Sequence, residues 1–314
     1  MAGLNAQVGF AAETTYGTAV TVDRFYPFTD EGVGDEIEPL ESEGIIAGAR
    51  VIRSEQWDQG AHSVGGDVGM ELWQQNTALL FEHMLGTITS SFTAGVGTHT
   101  VTPGDLTGKS LTVQKGVPAS DGTVIPFTYA GAKIASWEVA LSVGEIATLG
   151  ATLLAQTETT GTALEAASFI TDAARPYHYV HGAVSTSGSE ICVREISIEG
   201  ENNLADDRQC IGQDFIDEPL EMDLRQFTGS MTLEFTDTTQ YQRYQNGDEL
   251  SLVLSLSASA TAQATITMNV RYDGQTPQVG GKDLVLQDIP YKAIAVDDDA
   301  DAITIVLVNA QSEA

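Results

Sequence analysis

The sequence predicts a mainly β protein in which one strand–helix unit occurs twice. Residues 66–86 read GDVGMELWQQNTALLFEHMLG, and residues 229–247 read GSMTLEFTDTTQYQRYQNG. Each copy has an alternating strand, a glutamate at the same place and a short helix that ends at a glycine, and the copies are 229 − 66 = 163 positions apart. A second pair of similar segments, residues 28–40 and 192–204, is 204 − 40 = 164 positions apart. Two segments that recur at nearly one offset indicate an internal duplication.

The chain divides into an arm and two halves under this interpretation. Residues 1–24, rich in Ala, Gly and Thr, are the predicted N-terminal arm. Residues 25–170 form the first half and residues 177–314 the second, with the Thr-, Ala- and Ser-rich stretch 155–176 leading from one to the other. Residues 41–60 mix apolar residues with glycines, so we expect a long loop or strand extension that leaves its domain to meet a neighbour.

In the first half, the repeated strand has the period of a half-buried β-strand. Val68, Met70 and Leu72 alternate with polar neighbours. We expect Asn76 to cap the short helix that follows and Gly86 to end it. Several further strands, separated by Pro-Gly and Asp-Gly turns, come before the link.

The second half repeats this order. Met231 and Leu233 are expected on the buried side of its strand, Asp237 at the start of its helix and Gly247 at the end. Strands follow to the C-terminal region, and the acidic run at 297–301 is expected to form a hairpin turn between two of them. The fold class is therefore mainly β, with antiparallel sandwich or open-barrel units that each carry one short flanking helix.

Composition argues against several classes of protein. Fourteen Lys and Arg against 44 Asp and Glu leave a formal net charge of −30, which repels phosphate and argues against tight binding of nucleic acid. Two cysteines without a CxxC pair predict neither a disulfide scaffold nor a cysteine-ligated zinc site. The N-terminal residues lack the features of a signal peptide, and no apolar run has the length of a membrane helix. We therefore expect assembly in the cytoplasm of the producing cell.

No catalytic motif is found in the sequence, and the protein is predicted not to be an enzyme. His178 and His181, three apart on a predicted strand, would face opposite sides and share no metal. Cys192 and Cys210 fit inert positions better than a thiol nucleophile. The acidic run at 297–301 lacks the glycine and distal glutamate of a calcium loop. No cofactor and no metal are expected.

Several loop and strand segments, spread over nearly the whole chain, carry a family resemblance. They are residues 13–28, 37–54, 98–116, 127–149 and 270–283. The sequence in these segments resembles the tail tube proteins (major tail proteins) of long, non-contractile-tailed bacteriophages, particularly those of actinobacterial hosts.

The resemblance implies a structural role in the virion tail. Members of that family form rings that stack into a hollow tube, and sheets from all subunits close into a β-barrel around the bore. The resemblance also implies a helix outside each sheet, loops that join successive rings, and contacts with the tape-measure, tail terminator and distal tail proteins. Double-stranded DNA would pass without tight binding, and no membrane is involved. Fused pairs in the family form trimers with pseudo-sixfold symmetry, so the duplication favours trimeric over hexameric rings.

The predicted site residues follow from alternation within the repeated strands. The side chains expected to face the bore are Asp67, Glu71, Ser230, Thr232 and Glu234. Arg50 and Arg53, two of the few cations, are candidates for contacts between subunits or rings, or else solvated surface arginines.

Three alternatives remain open from the sequence. The first is another virion structural protein, such as a capsid decoration or tail terminator protein. The second is a cell-surface adhesin-like β-protein, and the third is a hydrolase that uses two carboxylates, which would need a cleft with convergent acids.

Overall fold

A computed structural model describes residues 2–169, 174–274, 276–279, 282 and 284–310. The strands in chain order are β1 (Gln7–Ala12), β2 (Arg24–Phe25), β3 (Phe28–Glu31), β4 (Gly34–Glu41), β5 (Trp57–Glu71), β6 (Gly86–Thr93), β7 (Val96–Pro103), β8 (Leu111–Pro118), β9 (Val124–Ser142), β10 (Thr148–Ala155), β11 (Thr157–Thr159), β12 (Gly182–Thr186), β13 (Ser189–Ile191), β14 (Val193–Glu201), β15 (Gln226–Glu234), β16 (Leu250–Ser259), β17 (Ala262–Tyr272), β18 (Leu286–Ala293) and β19 (Ile303–Asn309). The helices are α1 (Ala78–Leu85), α2 (Thr239–Asn246) and α3 (Asp299–Ala302).

Two antiparallel layers of strands form the body. The layer that we call the front sheet has the order β4–β5–β10–β9–β14–β15–β18, with β3 also beside β5. The back sheet has the order β13–β12–β16–β17–β19–β7–β6. The first part of β9 leaves the front sheet and pairs with β8, which in turn pairs with β1. The front sheet does not close into a barrel within one chain.

One hydrophobic cluster fills the space between the layers, because alternate residues of each strand point into it. Helix α1 lies inside the protein, with seven of its eight residues buried against β6, β7 and β9. Helix α2 differs: none of its residues is buried, and Tyr244 is its contact with the core. The prediction of a mainly β fold with few short helices is confirmed, although α1 is buried and does not flank the body.

The helix boundaries agree with the sequence, but the capping residues differ. Thr77 is the N-cap residue of α1, so the prediction of Asn76 is wrong; Asn76 has a left-handed backbone with φ of 69°. Gly86 follows α1 with φ of 111°, and Gly247 follows α2 with φ of 66°. Glycine adopts such positive φ values without the clash that a Cβ causes.

At the second helix, Thr238 is the N-cap residue, while the carboxylate of Asp237 accepts a hydrogen bond from the Thr239 amide at 2.7 Å. The acidic run at 297–301 does not form the predicted hairpin turn. Helix α3 begins at Asp299 and leads directly into β19. The Asp298 carboxylate accepts a hydrogen bond from the Ala300 amide, a local bond that competes with an extended turn.

The N-terminal segment belongs partly to the body. Strand β1 pairs with β8 over its full length, so residues 7–12 are not a free arm. The buried carboxylate of Glu13 then accepts hydrogen bonds from Ser110, Thr112 and the amides of Gly17 and Gly131. These bonds fix the start of the chain against β8 and β9. The predicted end of the first half, residue 170, and residues 311–314 lie outside the described residues.

Candidate functional site: an acidic open face

The face of the front sheet that points away from the core is rich in carboxylates. Alternation places Val68, Met70, Met231 and Leu233 in the core, so their neighbours lie on the open face. The structure places all five residues predicted for the bore on this face: Asp67, Glu71, Ser230, Thr232 and Glu234. Cross-strand pairing joins them into rows that run across both halves of the chain.

One row shows how far this continuity extends. It runs from Glu71 through Thr148 and Ala140 to Ser197 and Ser230. The two serine hydroxyls at its far end lie 3.3 Å apart. Because each step is a paired position on neighbouring strands, the residues predicted from the two separate halves belong to one surface.

The open face holds further acids that were not predicted as site residues. They are Asp30, Glu138, Glu195, Glu199, Glu201 and Asp288. Glu138 lies on a strand whose alternation is visible in the sequence, so the same reasoning could have found it. The basic residues of this region are few in the described chain: Lys292 at one edge, and Arg194, whose Nη1 lies 3.2 Å from Glu234 Oε1.

The centre of the face contains a like-charge pair. Glu138 of β9 lies directly opposite Glu199 of β14, and both side chains are exposed. They line a shallow depression of about 380 Å³ that also includes Asp30, Asp67 and Glu201. Like charges at paired positions repel each other and destabilise a sheet, so this arrangement is not explained by stability of the single chain.

Two glycines let the strands approach at this place. The indole of Trp137 lies over Gly200, where an added Cβ would be 2.2 Å from the ring atom Cε2. Gly229 similarly makes room for Tyr291, whose hydroxyl donates to the Ser197 carbonyl oxygen at 2.7 Å. Trp137 and Tyr291 therefore pack beneath the open face at positions where the sheet needs glycine.

The segment between β14 and β15, residues 202–225, contacts α1 and β9 of the predicted first half. Asn202 Nδ2 donates to the carbonyl oxygens of Met84 and Ile134 at 3.1 and 2.8 Å. The guanidinium of Arg225 donates to the carbonyl oxygens of Leu85 and Gly104 at 2.6 and 2.5 Å. Two of these acceptors, Met84 and Leu85, lie at the end of α1, where helix carbonyls have no intrahelical donor. The Leu85 carbonyl oxygen also accepts from the Gly104 amide at 2.8 Å.

A buried ion pair adds to this junction. Lys133, 3% exposed, contacts the carboxylate of Glu218 and donates to the carbonyl oxygens of Leu106 and Pro219. Burial lowers the pKa of Lys133, while the nearby Glu218 carboxylate acts in the opposite direction. A buried charge without such partners is costly, so the pair holds residues 218–219 firmly against β9.

Arg50 and Arg53 lie far from the acidic face, in the exposed connection between β4 and β5. Neither guanidinium forms an ion pair within the part of the chain that the structure describes. The predicted contact role of both arginines stays a prediction.

The two neighbouring histidines are placed differently from the prediction. Tyr179–His181 forms a 3-10 turn, not a strand, and the rings of His178 and His181 are 3.7 Å apart between centroids. The opposite-face expectation is therefore wrong. Over the described ranges, no group of three or more His, Cys, Asp or Glu residues is arranged to hold a metal ion.

The comparisons with known proteins agree with this architecture. A family model described as phage tail tube protein matches residues 3–293. The chain belongs to the phage tail tube protein family. No curated protein matches it. This tail tube protein is thus a structural component of the virion tail and not an enzyme. Among the described residues, no helix is long and apolar enough to cross a membrane.

Proposed function

We propose that this tail tube protein assembles into stacked rings that form a hollow tube, with the open acidic face of the front sheet lining the bore. The observation that carries the proposal is the alignment of carboxylates from both halves on one continuous face. Their apolar alternates lie in the core, so the acidic side is the side left for solvent or for a passing cargo. The back sheet and α2 would then lie on the outside of the tube.

The two ends of the front sheet supply edges for ring closure. At one end, β4 pairs only with β5 over the described residues; at the other, β18 pairs with β15 on one side. Exposed edges invite pairing with another chain, and a ring of identical subunits uses both. The six antiparallel steps from β4 to β18 leave these two strands running in the same direction.

Closure therefore needs one more strand at each boundary if the antiparallel alternation is to continue around the ring. The end of β17 marks its place, because Val270–Tyr272 pairs with β18, and its last two residues lie beyond the final back-sheet pair of Leu250 with Val270. In the first half, β9 occupies the corresponding position beside β10 and is followed directly by β14. The β9–β14 boundary inside the chain is thus the template that we propose for the boundary between subunits.

Strand pairing supports the proposed duplication and hence three subunits per ring. In the first half, Gly65 is paired with Gly34. Thr228 lies 163 positions after Gly65 and is paired with Glu199. The partners Gly34 and Glu199 are 199 − 34 = 165 positions apart. The 164 offset read from the sequence is thus one residue out of register with the pairing. Two similar halves per chain make a trimer equivalent to a sixfold ring.

The mechanism that we propose for passage is electrostatic. DNA carries about one negative charge per 1.7 Å of its axis, and the proposed bore offers carboxylates and hydroxyls instead of cations. DNA and the tape-measure protein would slide without binding tightly. A tail terminator and a distal tail protein would cap the two ends of the stack. The resemblance to phages of actinobacterial hosts stays an expectation from the sequence.

Electron microscopy of the purified protein tests the assembly. We expect stacked rings with a central channel and three subunits per ring, and a reconstruction should show Glu138 and Glu199 on the channel wall. Monomers that do not assemble under any salt condition would contradict the tube. A channel lined by Met70 and Leu233 would contradict the assigned face, and six chains per ring would contradict the trimer.

A charge-reversal experiment tests the bore separately. Tubes that carry Glu138→Lys and Glu199→Lys should retain double-stranded DNA at low salt and release it as salt is raised, because phosphate contacts are salt-dependent. Asp121→Lys, in the β8–β9 turn away from the open face, is the control for Glu138→Lys alone, because each changes the net charge by two, whereas the double variant changes it by four. Equal DNA retention by both variants would show that the acids do not line the path of DNA.

A further inference from the structure

The end of α1 is held at the boundary between the predicted halves of the chain. Asn202 follows β14 and donates to the carbonyl oxygen of Met84. Arg225 precedes β15 and donates to the carbonyl oxygen of Leu85. Both donors come from the strand pair that continues the front sheet beyond β9. The last turn of α1 therefore lies beneath the end of the β14–β15 pair.

The end of α2 has no such contacts. The amides of Gly247 and Asp248 bond to carbonyls of the last turn, but within the described residues no group donates to the carbonyl oxygens of Gln245 and Asn246. Helix carbonyls at these positions have no intrahelical donor. Helix α2 lies against β17, whose end pairs with β18 at the edge of the front sheet. The unsatisfied end of α2 is therefore near the edge that ring closure would use.

Strand pairing shows which residues of the first half correspond to Asn202 and Arg225. The offset of 165 between β4 and β14 gives 202 − 165 = 37, and the offset of 163 between β5 and β15 gives 225 − 163 = 62. These residues, Ile37 and His62, are paired with each other. Both line a groove of about 600 Å³, which we call the β4–β5 groove. The place that the end of α1 fills beneath β14 and β15 is thus open beneath β4 and β5.

The β4–β5 groove and α2 have complementary charge. Three acids, Glu36, Glu38 and Asp206, are among the residues that line the groove, and none of its described lining residues is Lys or Arg. Helix α2, TQYQRYQN, contains no acid, one arginine and four side-chain amides. Side-chain amides donate hydrogen bonds to carboxylates without adding negative charge. In a chain of net charge −30, such a helix is suited to an acidic partner surface.

We propose that the end of α2 of one subunit occupies the β4–β5 groove of the next subunit in the same ring. This inference rests on the proposed function, since ring closure places β4 of the next subunit beyond the end of β17. The contact repeats between chains the one that α1 makes within the chain. The amides of Gln242 and Asn246 then face the acidic lining of the groove. His62, whose Nδ1 lies 2.7 Å from Asp35 Oδ2, takes the position of Arg225 beside the helix end.

Cross-linking distinguishes a contact within one ring from a contact between rings. Leu40 lines the groove and is 64% exposed, and Asn246 is exposed at the end of α2. Tubes of a Leu40→Cys, Asn246→Cys variant that also carries Cys192→Ser and Cys210→Ser should give linked chains with a short bismaleimide. Because the contact closes around the ring, the largest linked species should contain as many chains as one ring.

Each variant with only one of the two introduced cysteines is the control and should give no linked chains. Tubes of the double-cysteine variant that give no linked chains would overturn the inference. A ladder that continues beyond the number of chains in one ring would also overturn it, because a contact between rings repeats without limit along the tube.

Added charge on α2 tests the contact from the helix side. Gln242→Glu with Asn246→Glu puts two carboxylates opposite the acidic groove, so we expect the yield of rings to fall at least tenfold by sedimentation and microscopy. Both positions are exposed, so the monomer should keep its unfolding transition. Ala260→Glu with Thr261→Glu, in the exposed β16–β17 turn, adds the same charge and should form normal rings. A normal yield of rings from the α2 variant would contradict the proposed contact.

A charge exchange in the groove tests the same contact from the other side. Asp206→Lys, added to the chain that carries Gln242→Glu and Asn246→Glu, should restore rings at least in part. Asp207→Lys makes the same change at the neighbouring exposed acid, which does not line the groove, and should restore fewer. Equal restoration by both would overturn the assigned groove. Failure of the unmodified protein to form any ring or tube would instead overturn the proposed function itself.

Discussion

Glu138 and Glu199 are paired across the boundary between the two halves of the chain, with both carboxylates on the same open face. Sixty-one positions separate them in the sequence, and the β9–β14 pairing brings them together. Their repulsion costs stability in the single chain. In the bore that we propose, a surface that repels phosphate would be useful, and this would give the pair a role.

Removing one of these charges should stabilise the isolated chain. For Glu138→Gln we expect the free energy of unfolding to rise by about 0.2–1 kcal/mol at low salt, as for other cross-strand charge pairs. The gain should shrink as salt screens the repulsion. Urea titration at two salt concentrations measures it. Adding Glu199→Gln to the Glu138→Gln variant should raise the free energy of unfolding by less than Glu199→Gln raises it in the unmodified protein. If the two effects were simply additive, the two carboxylates would not interact.

A methyl group at residue 200 should disrupt the boundary between the halves. In Gly200→Ala the new Cβ meets the Trp137 ring, so we expect a loss of about 1–3 kcal/mol in the free energy of unfolding, typical of overpacked sites. Gly150→Ala is the matched control, because Gly150 lies in the same sheet with open space around the site of its Cβ. Chemical denaturation compares them, and equal effects would contradict the steric explanation.

Arg225 should matter more for stability than an exposed arginine does. Arg225→Met keeps the aliphatic stem but removes the charged donor to the carbonyl oxygens of Leu85 and Gly104, at an expected cost of about 1–3 kcal/mol. Leu85 keeps the Gly104 amide as a second donor, so most of the loss is expected at Gly104. Arg271→Met removes a largely exposed pair with Glu249 and should cost at most about 1 kcal/mol. Thermal and urea unfolding report both. A loss of stability in Arg271→Met that equals or exceeds the loss in Arg225→Met would contradict the prediction.

His83 should make the protein less stable in mild acid. Burial lowers the pKa of this histidine from its ordinary 6.5, and its Nδ1 lies 3.0 Å from the Leu79 carbonyl oxygen. The unfolded chain therefore binds a proton at a pH where the folded chain does not. The stability that the folded chain has with a neutral His83 is fully present above pH 6.5 and is lost as the pH falls towards the pKa of His83 in the folded chain.

We expect the free energy of unfolding to fall between pH 7.5 and 5.5, and to fall less in His83→Gln, which does not titrate there. Denaturation of both proteins at several pH values measures the difference. Carboxylates also titrate near the lower limit, but they are the same in both proteins, so the comparison isolates His83. Identical pH profiles would exclude a role for its burial.

Much of the acidic face could be predicted from local alternation. The period of two around Met70 and Met231 fixes which neighbours point away from the core, and Asp67, Glu71, Ser230, Thr232 and Glu234 lie on one face as expected. The helix ends at glycines could be predicted for the same local reason. Pattern along one strand does not show which strands are neighbours, so the acids of β9 and β14 were missed as partners.

Other features depend on contacts that a local pattern does not contain. The three-residue spacing of His178 and His181 fits a strand or a turn, and packing selects the 3-10 turn. The acidic run before β19 suits a turn, yet its local hydrogen bonds begin a short helix. If the chain is duplicated as we propose, strand pairing favours an offset of 165 over 164, a shift of one position that weak sequence similarity does not detect.

The sequence by itself determined the mainly β class, the faces of the repeated strands and the resemblance that the family match confirmed. These depend on residue order within a few positions, where side-chain alternation and chain-wide composition are directly visible. The tertiary structure alone decided that β9 pairs with β14 and that residues 202–225 contact the end of α1. Those features depend on which distant backbone edges satisfy their hydrogen bonds, and many pairings share the same local pattern.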